Sequence, residues 1–339
     1  MKTSKEKLQK AIDTVSIGLA TKEMIEQSTS FIFKNGMVQT YNDEISVQYP
    51  VEIEIEGAVK AQEFRQLISK VKGDEVDIEV EDNQLLLSAG RTKAGLQLQA
   101  EITLPVDEVR LGKKWHTLPE DFIQAIKFTM AAASKDMSRG VLVCVHVSER
   151  MVTASDSYRI AQYRMVCAIG CDAFLIPAHV CSKIVGYDIE KVNVHEGWVS
   201  FRTKDGAIIS CRTYQEKFVD VSQHLQVEGE EFSFPTQLKD MLERVDVFSK
   251  RDYILDEHVD VTIEKGRISL WAESPSGWIE EKAGIDTKVE CEFGITPYLL
   301  RDICDKEHTA ILGKTTLLFS ADNWKYLSSL RSSTNKKKA

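Results

Sequence analysis

A chain of 339 residues, 43% hydrophobic and 28% charged, is too long for one ordinary core and predicts two or three domains. No apolar run approaches the roughly 20 residues of a membrane span, and a formal charge of -9 excludes a protein that coats nucleic acid with its whole surface. Seven cysteines, an odd number irregularly spaced, predict buried thiols in a reducing cytoplasm rather than a disulfide framework; the charged start M-K-T-S-K-E-K-L-Q-K has no signal-peptide core.

The first predicted helix, Glu6 to Leu19, sets Leu8, Ile12, Val15 and Leu19 on one face. Phe122, Ile126 and Thr129-Met130 mark a second such face, with Pro119 where a first helical turn tolerates it. Leu238, Met241, Leu242, Val245 and Phe248 mark a third, opened by Pro235. Leu8, Phe122 and Leu238 are separated by 114 and 116 residues.

Each helix is followed by two strand-like runs joined by a tight turn. The turns are Asn35-Gly36, Ser148 to Arg150, and Lys265-Gly266; Asn-Gly and Lys-Gly between alternating runs predict hairpins. A second helical unit recurs after Val59-Lys60-Ala61, Ile176-Pro177-Ala178 and Ile295-Thr296-Pro297, with spacings of 117 and 119. Two markers give a period of about 115 residues, which is domain size and predicts triplicated domains rather than a solenoid. The boundaries fall in the polar stretches Leu111 to Lys114 and Gln226 to Glu230, giving domains 1–112, 113–228 and 229–334 and a basic tail 335–339. The fold class is α+β, each domain two helices packed on antiparallel sheets.

Near the middle, T-A-S-D-S-Y-R-I-A (Thr153 to Ala161) crowds Asp156 and Arg159 onto one short turn, which predicts a turn-stabilising ion pair rather than acid-base chemistry, since no nucleophile accompanies it. Gly313-Lys314-Thr315 lies between two apolar runs, with His308 where a phosphate loop needs its first glycine, so a hairpin turn is expected there. Cys167, Cys171, His179 and Cys181 lack a structural zinc spacing, and the seven histidines form no i, i+4 pair. No catalytic residue, metal or cofactor is expected. The lysines Lys336 to Lys338 predict a solvated tail.

The central stretch resembles the T-D-G-H-R-L-A segment in the middle domain of the bacterial DNA polymerase III beta subunit family, the beta sliding clamps. Leu85 to Leu98 resembles the family's strand containing S-G-R-S, and Y-Q-E-K-F-V-D-V (Tyr214 to Val221) its G-K-F-P-D-Y. Leu270 to Glu281 is similar to A-E-N-P-E-G-E-A-E-E, and Phe293 to Ile303 to G-F-N-P-R-Y-L-L-D-A-L. The resemblance implies three tandem DNA-clamp domains that close, as a homodimer, into a six-domain ring. Such a ring encircles double-stranded DNA without base readout, has no enzymatic activity, and tethers a DNA polymerase and the clamp loader through short linear peptides. The alternative is a clamp-fold interaction scaffold without ring closure or DNA role.

The charge distribution agrees with a ring around DNA. Six helical windows, 2–19, 60–72, 119–139, 176–186, 235–251 and 296–306, hold 18 basic and 11 acidic residues, net +7; the remainder holds 25 and 41, net -16. The expected DNA-lining residues are Lys7, Lys10, Arg65, Lys70, Lys127, Lys135, Arg139, Lys183, Arg244, Lys250 and Arg301. The resemblance also implies a partner-peptide pocket walled by Ser155, Ser157, Tyr158, Arg159 and Ile160, with Leu225 and the segment Tyr326 to Leu330 nearby. Two departures mark a divergent member, such as one encoded by a phage: Ser157-Tyr158 stands where the family has Gly-His, and the ending M-P-M-R-L is absent.

Overall fold

The helical periodicity buries where the pattern requires. In α1 (Lys5–Val15) the side chains of Leu8, Ala11, Ile12 and Val15 are buried, and Ser4 caps the start by accepting from the Lys7 N–H at 3.4 Å. The helix stops short of Leu19: the Ser16 hydroxyl turns back onto the Ile12 carbonyl at 2.5 Å, and a single 3-10 turn follows. The computed structural model describes residues 1–333; the lysine tail lies outside them.

The same order of elements recurs three times. The first repeat runs β1 (Lys2–Ser4), α1, β2 (Ser30–Lys34), β3 (Met37–Tyr41), β4 (Ile45–Pro50), β5 (Gly57–Lys60), α2 (Ala61–Lys70), β6 (Glu75–Glu81), β7 (Gln84–Ala89) and β8 (Thr92–Gln99). The second runs β9 (His116–Thr117), α3 (Phe122–Met130), β10 (Cys144–Val147), β11 (Met151–Ser155), β12 (Arg159–Arg164), β13 (Phe174–Pro177), α4 (Ala178–Ile184), β14 (Ile189–His195), β15 (Trp198–Thr203) and β16 (Ile208–Arg212). The third runs β17 (Glu230–Ser233), α5 (Leu238–Ser249), β18 (Val259–Glu264), β19 (Arg267–Ser274), β20 (Gly277–Gly284), β21 (Cys291–Ile295), α6 (Pro297–Arg301), β22 (Thr309–Leu312), β23 (Thr316–Ala321) and β24 (Trp324–Ser329).

The expected hairpin turns form. Asn35 and Gly36 have φ of +52° and +68°, Lys265 and Gly266 +50° and +73°, the left-handed pair that matches the twist of the strands they join. Gly313 to Thr315 joins β22 to β23, closed by the Gly313 N–H on the Thr316 carbonyl at 2.9 Å. The predicted helix through 119–139 is shorter than expected. α3 ends at Met130, and Asp136 caps a separate 3-10 segment by accepting from the Ser138 N–H, so Lys135 and Arg139 fall outside the helix.

Two compact units result, Met1–Phe122 with Cys167–Gln215, and Ile123–Val166 with the residues from Glu216 onward. Both repeat junctions are made the same way. In the first unit a twelve-stranded sheet runs β1-β6-β7-β8-β5-β2-β3-β4-β16-β15-β14-β9, so the fourth strand of the first repeat pairs with the last strand of the second. In the second unit the order β10-β11-β12-β24-β23-β22-β17 repeats that step between the second and third repeats, beside a four-stranded sheet β20-β19-β18-β21. The registers agree: Gln48↔Ile208, Val47↔Ile209 and Ser46↔Ser210 at one junction correspond to Gln162↔Lys325, Ala161↔Tyr326 and Ile160↔Leu327 at the other. Sheet hydrogen bonds that cross repeat boundaries are why the middle repeat is shared between units.

The first core centres on Phe64 of α2, set edge-on against Phe31 at 6.1 Å and Phe33 at 5.8 Å. In the second unit α5 buries Leu238, Met241, Leu242 and Val245 against β19 and β20. Among the described residues no helix is long and apolar enough to cross a membrane. Cys144, Cys181, Cys211 and Cys304 are buried as expected, whereas Cys167 is exposed.

Candidate functional site

β11 ends at Ser155 and β12 begins at Arg159; Asp156 holds the turn between them. One Asp156 carboxylate oxygen accepts from the N–H groups of Tyr158 and Arg159, both at 3.0 Å, and the other accepts from Arg159 Nε at 3.0 Å. The Ser155 hydroxyl donates to the Arg159 carbonyl at 2.8 Å and accepts from the Ser157 N–H at 3.2 Å. Ser157 takes φ +76°, a left-handed conformation that a Cβ disfavours. The expected ion pair is therefore present, built into an Asx turn.

Arg159 is 5% exposed, and a buried guanidinium must be neutralised by its surroundings. Its Nη1 donates to Asp302, and its plane lies 4.9 Å above the Tyr298 ring. Burial opposes the charge, yet Tyr326, Asp156 and Asp302 together raise the Arg159 pKa. Burial, with Asp156 next, pushes the Tyr298 phenol up to about 12, and burial raises Tyr326 further.

In front of this turn lies a cavity of about 340 Å³. Ser155, Ser157, Tyr158, Arg159 and Ile160 all line it, joined by Leu142, Val219, Val221, His224, Thr316, Leu327 and Ser329. Of the residues expected nearby, Leu327 and Ser329 line it, whereas Leu225, Tyr326, Ser328 and Leu330 do not. Leu225 is buried, its carbonyl accepting from Lys325 Nζ at 3.3 Å; the buried Tyr326 hydroxyl donates to the Leu299 carbonyl at 2.8 Å; and the Leu330 N–H donates to the Thr315 carbonyl at 2.8 Å. Val219 and Val221 belong to the Y-Q-E-K-F-V-D-V stretch, so their motif was legible although their role in the wall was not. Ser329 belongs to the segment expected nearby, whereas Thr316 carries no local signal and arrives on β23 through the pairing of β12 with β24 and of β24 with β23.

Arg139, expected on a helix face, belongs to this site instead. Its Nη1 donates to the Asp156 carbonyl at 2.6 Å and its guanidinium lies 5.6 Å from the Tyr158 ring centroid. Of the other basic residues, most have an acidic partner. Lys7 meets Glu52 at 3.0 Å, Lys10 meets Asp205 at 2.7 Å, and Arg65 meets Asp13 at 2.8 Å. Arg244 grips Glu281 through two bonds of 2.9 and 2.8 Å. Lys250 and Arg301 share Asp246, at 2.9 and 3.2 Å, and Lys250 also reaches Glu257 at 3.1 Å. These partners raise the pKa values of Lys10, Arg244 and Lys250. Lys70, Lys127, Lys135 and Lys183 are exposed. The Lys7, Lys10 and Arg65 pairs are open to water, which screens them, so a polyanion can exchange for their carboxylates, whereas Asp246 and Glu257 are buried.

Three tandem repeats of this order, with sheets continued from one repeat to the next, are the fold of the DNA sliding clamps. Over 98% of its length the chain matches the crystal structure of DNA polymerase III subunit beta from Pseudomonas aeruginosa, covering 100% of that chain, with TM-score 0.86 and 17% identity. It matches the beta subunit from Streptococcus pyogenes at TM-score 0.85 and 20% identity, with 98% of this chain and 99% of that chain covered. A Pseudomonas aeruginosa DnaN sliding clamp bound to griselimycin matches at TM-score 0.84 and 18% identity, over 98% of this chain and 99% of that one. No protein-family model and no curated protein matches the sequence, so the likeness is one of fold.

Proposed function

We propose that this chain is a DNA sliding clamp, a processivity factor without chemistry of its own, working in the cytoplasm as a homodimeric ring of six domains. The three domains are 1–112, 113–228 and 229–334. The observation that carries the reading is the repeated junction. The pairings β4–β16 and β12–β24 share one register, while among the described residues β20 pairs only with β19, and Thr92 to Gln97 of β8 pair only with β7. A sheet edge left open at each end of the same rule is completed by a second copy. Applying the register once more sets Ile279 opposite Leu96, Glu281 opposite Ala94 and Lys282 opposite Lys93 of the other protomer.

The helix-borne cations Lys7, Lys10, Arg65, Lys70, Lys127, Lys183, Arg244 and Arg301, with Lys250 at the end of α5, then meet the phosphate backbone, which demands positive charge and no fixed geometry. Lys135 joins them from the loop after α3. The cavity beside Tyr158 takes linear peptides of a DNA polymerase and the clamp loader.

A clamp-fold scaffold without ring closure or DNA role is the second reading, and the ion-pairing of Lys7, Lys10, Arg65, Arg244, Lys250 and Arg301 favours it. Loading onto nicked circular DNA separates the two. A clamp stays on the circle, leaves when the DNA is cut, and is retained less with Arg65→Glu and Lys127→Glu combined. Equal retention on circular and linear DNA contradicts the clamp reading. Tyr158→Ala weakens polymerase capture without changing ring assembly, and unchanged capture removes the pocket assignment.

A further inference from the structure

The third repeat turns the same corner as the first two. Gly277, at φ +152°, stands where Asp43 and Ser157 stand at the two junctions, so Trp278 holds the position of Glu44 and Tyr158. Trp271 of β19 lies opposite Glu280, as Tyr41 lies opposite Ser46 and Ser155 opposite Ile160. On the strand that receives each junction, Gln84 pairs with Gln97 as Trp198 pairs with Arg212, so Gln97 of β8 holds the position of Arg212. The Arg212 N–H donates to the Glu44 carbonyl at 2.9 Å. The same step across the deduced seam sets Gln97 of one protomer opposite Trp278 of the other.

At the first junction these positions form a capped aromatic pair. Tyr41 and Trp198 pack with ring centroids 6.1 Å apart, and the Arg212 guanidinium covers the indole at 4.7 Å. In the third repeat the pair is present without its cap. Trp271 and Trp278 stack at 4.8 Å with their planes 20° apart, which occupies one face of the Trp278 ring. Of the five tryptophans Trp278 alone is exposed, at 63%. A stacked pair on an open strand edge is a contact surface rather than a scattered apolar residue. Glu273 lies directly beside Trp278, and the nearby Glu280 is held by Lys282 at 2.7 Å and by the Ser269 hydroxyl at 3.0 Å. The matching stretch of β8 is uncharged: Gln97 is exposed, and Gln84 lies so close over Gly95 that a Cβ there would stand 2.9 Å from its Oε1.

We propose that Trp271 and Trp278 form a docking site for a second copy of this chain, whose Gln97 carboxamide caps the free face of the Trp278 indole as Arg212 caps Trp198. The proposal rests on the ring reading for the seam and its register. The π face of an indole is electron-rich and attracts the N–H groups of a carboxamide laid on it, while the Gln97 methylenes cover apolar ring area. A guanidinium in the same place binds more strongly, because it brings a full positive charge to the ring.

Self-association of the full chain, measured by sedimentation, is the test. Trp278→Ala is expected to weaken it at least about tenfold and Trp278→Phe less, with circular dichroism unchanged because the ring is exposed. Gln97→Arg is expected to tighten it about fivefold over the two seams of a ring. In a chain that also carries Trp278→Ala, that gain shrinks to less than about twofold, which shows that the two side chains act as a pair. An equal gain in both backgrounds assigns it to the carboxylates of Glu273 and Glu280 and overturns the cap. Dimers that form equally well with Trp278→Ala overturn the docking site and leave the ring reading standing. Wild type that stays a single chain at every concentration overturns both.

Discussion

Asp43 and Ser157, 114 residues apart, hold the same left-handed corner in successive repeats, at φ +74° and +76°. Each follows a residue whose side-chain oxygen accepts from the two N–H groups beyond the corner. The corner aims the next residue, Glu44 or Tyr158, and starts the strand that crosses to the following repeat.

Left-handed backbone costs a residue with a Cβ about 1–2 kcal/mol, and glycine returns part of that gain through its extra freedom when unfolded. Ser157→Gly is therefore expected to leave the protein unchanged or more stable by up to about 1 kcal/mol. A bulkier Ser157→Val destabilises it by more than about 1 kcal/mol. Urea denaturation checks both.

Asp246 is the shared partner of Lys250 and Arg301 and is 8% exposed. Burial opposes its charge, but the bonds from Lys250 and Ser249 hold its carboxyl below the usual range. A depressed carboxylate pKa stabilises the fold above the unfolded value and loses that contribution as pH falls through the folded one. Asp246→Asn is thus expected to remove part of the acid sensitivity below about pH 4, read as a flatter melting temperature against pH. It also leaves Arg301 without its carboxylate and Lys250 with Glu257 alone. If they line the DNA, retention rises and its salt dependence steepens by up to about one released counterion. Unchanged retention takes Lys250 and Arg301 out of the lining.

The deduced seam sets Lys93 of β8 against Lys282 of β20, and like charges directly opposed on a sheet are unfavourable. Lys93→Glu is expected to tighten self-association by up to about 1 kcal/mol per seam, most clearly at low salt. Ile279→Asp, on the side facing Leu96, is expected to abolish it. Association insensitive to both changes rules out this register.

The repeat was legible because its markers are local. Apolar spacing located α1, α3 and α5, the recurring openings at Val59, Ile176 and Ile295 located α2, α4 and α6, and Asn35-Gly36 and Lys265-Gly266 located their hairpins. The Asp156–Arg159 pair could be read off one turn. The junctions could not, because β4 with β16 and β12 with β24 join residues more than 150 positions apart, and nothing in either strand names its partner. Thr316 was missed in the pocket for that reason. Counting charges by helix also ignored the acids that strands and loops bring up. Glu52, Asp205 and Glu281 lie outside the six windows yet pair with Lys7, Lys10 and Arg244. Arg139 was misplaced because the predicted helix was carried past Met130 into the Asp136-capped turn.

Native mass tests the central claim most directly. Sedimentation of the 38.3 kDa chain over a wide concentration range is expected to give a species of twice that mass that persists on dilution, and Ile279→Asp is expected to reduce it to one chain. A monomer at every concentration contradicts closure by a second copy and leaves the scaffold reading in its place.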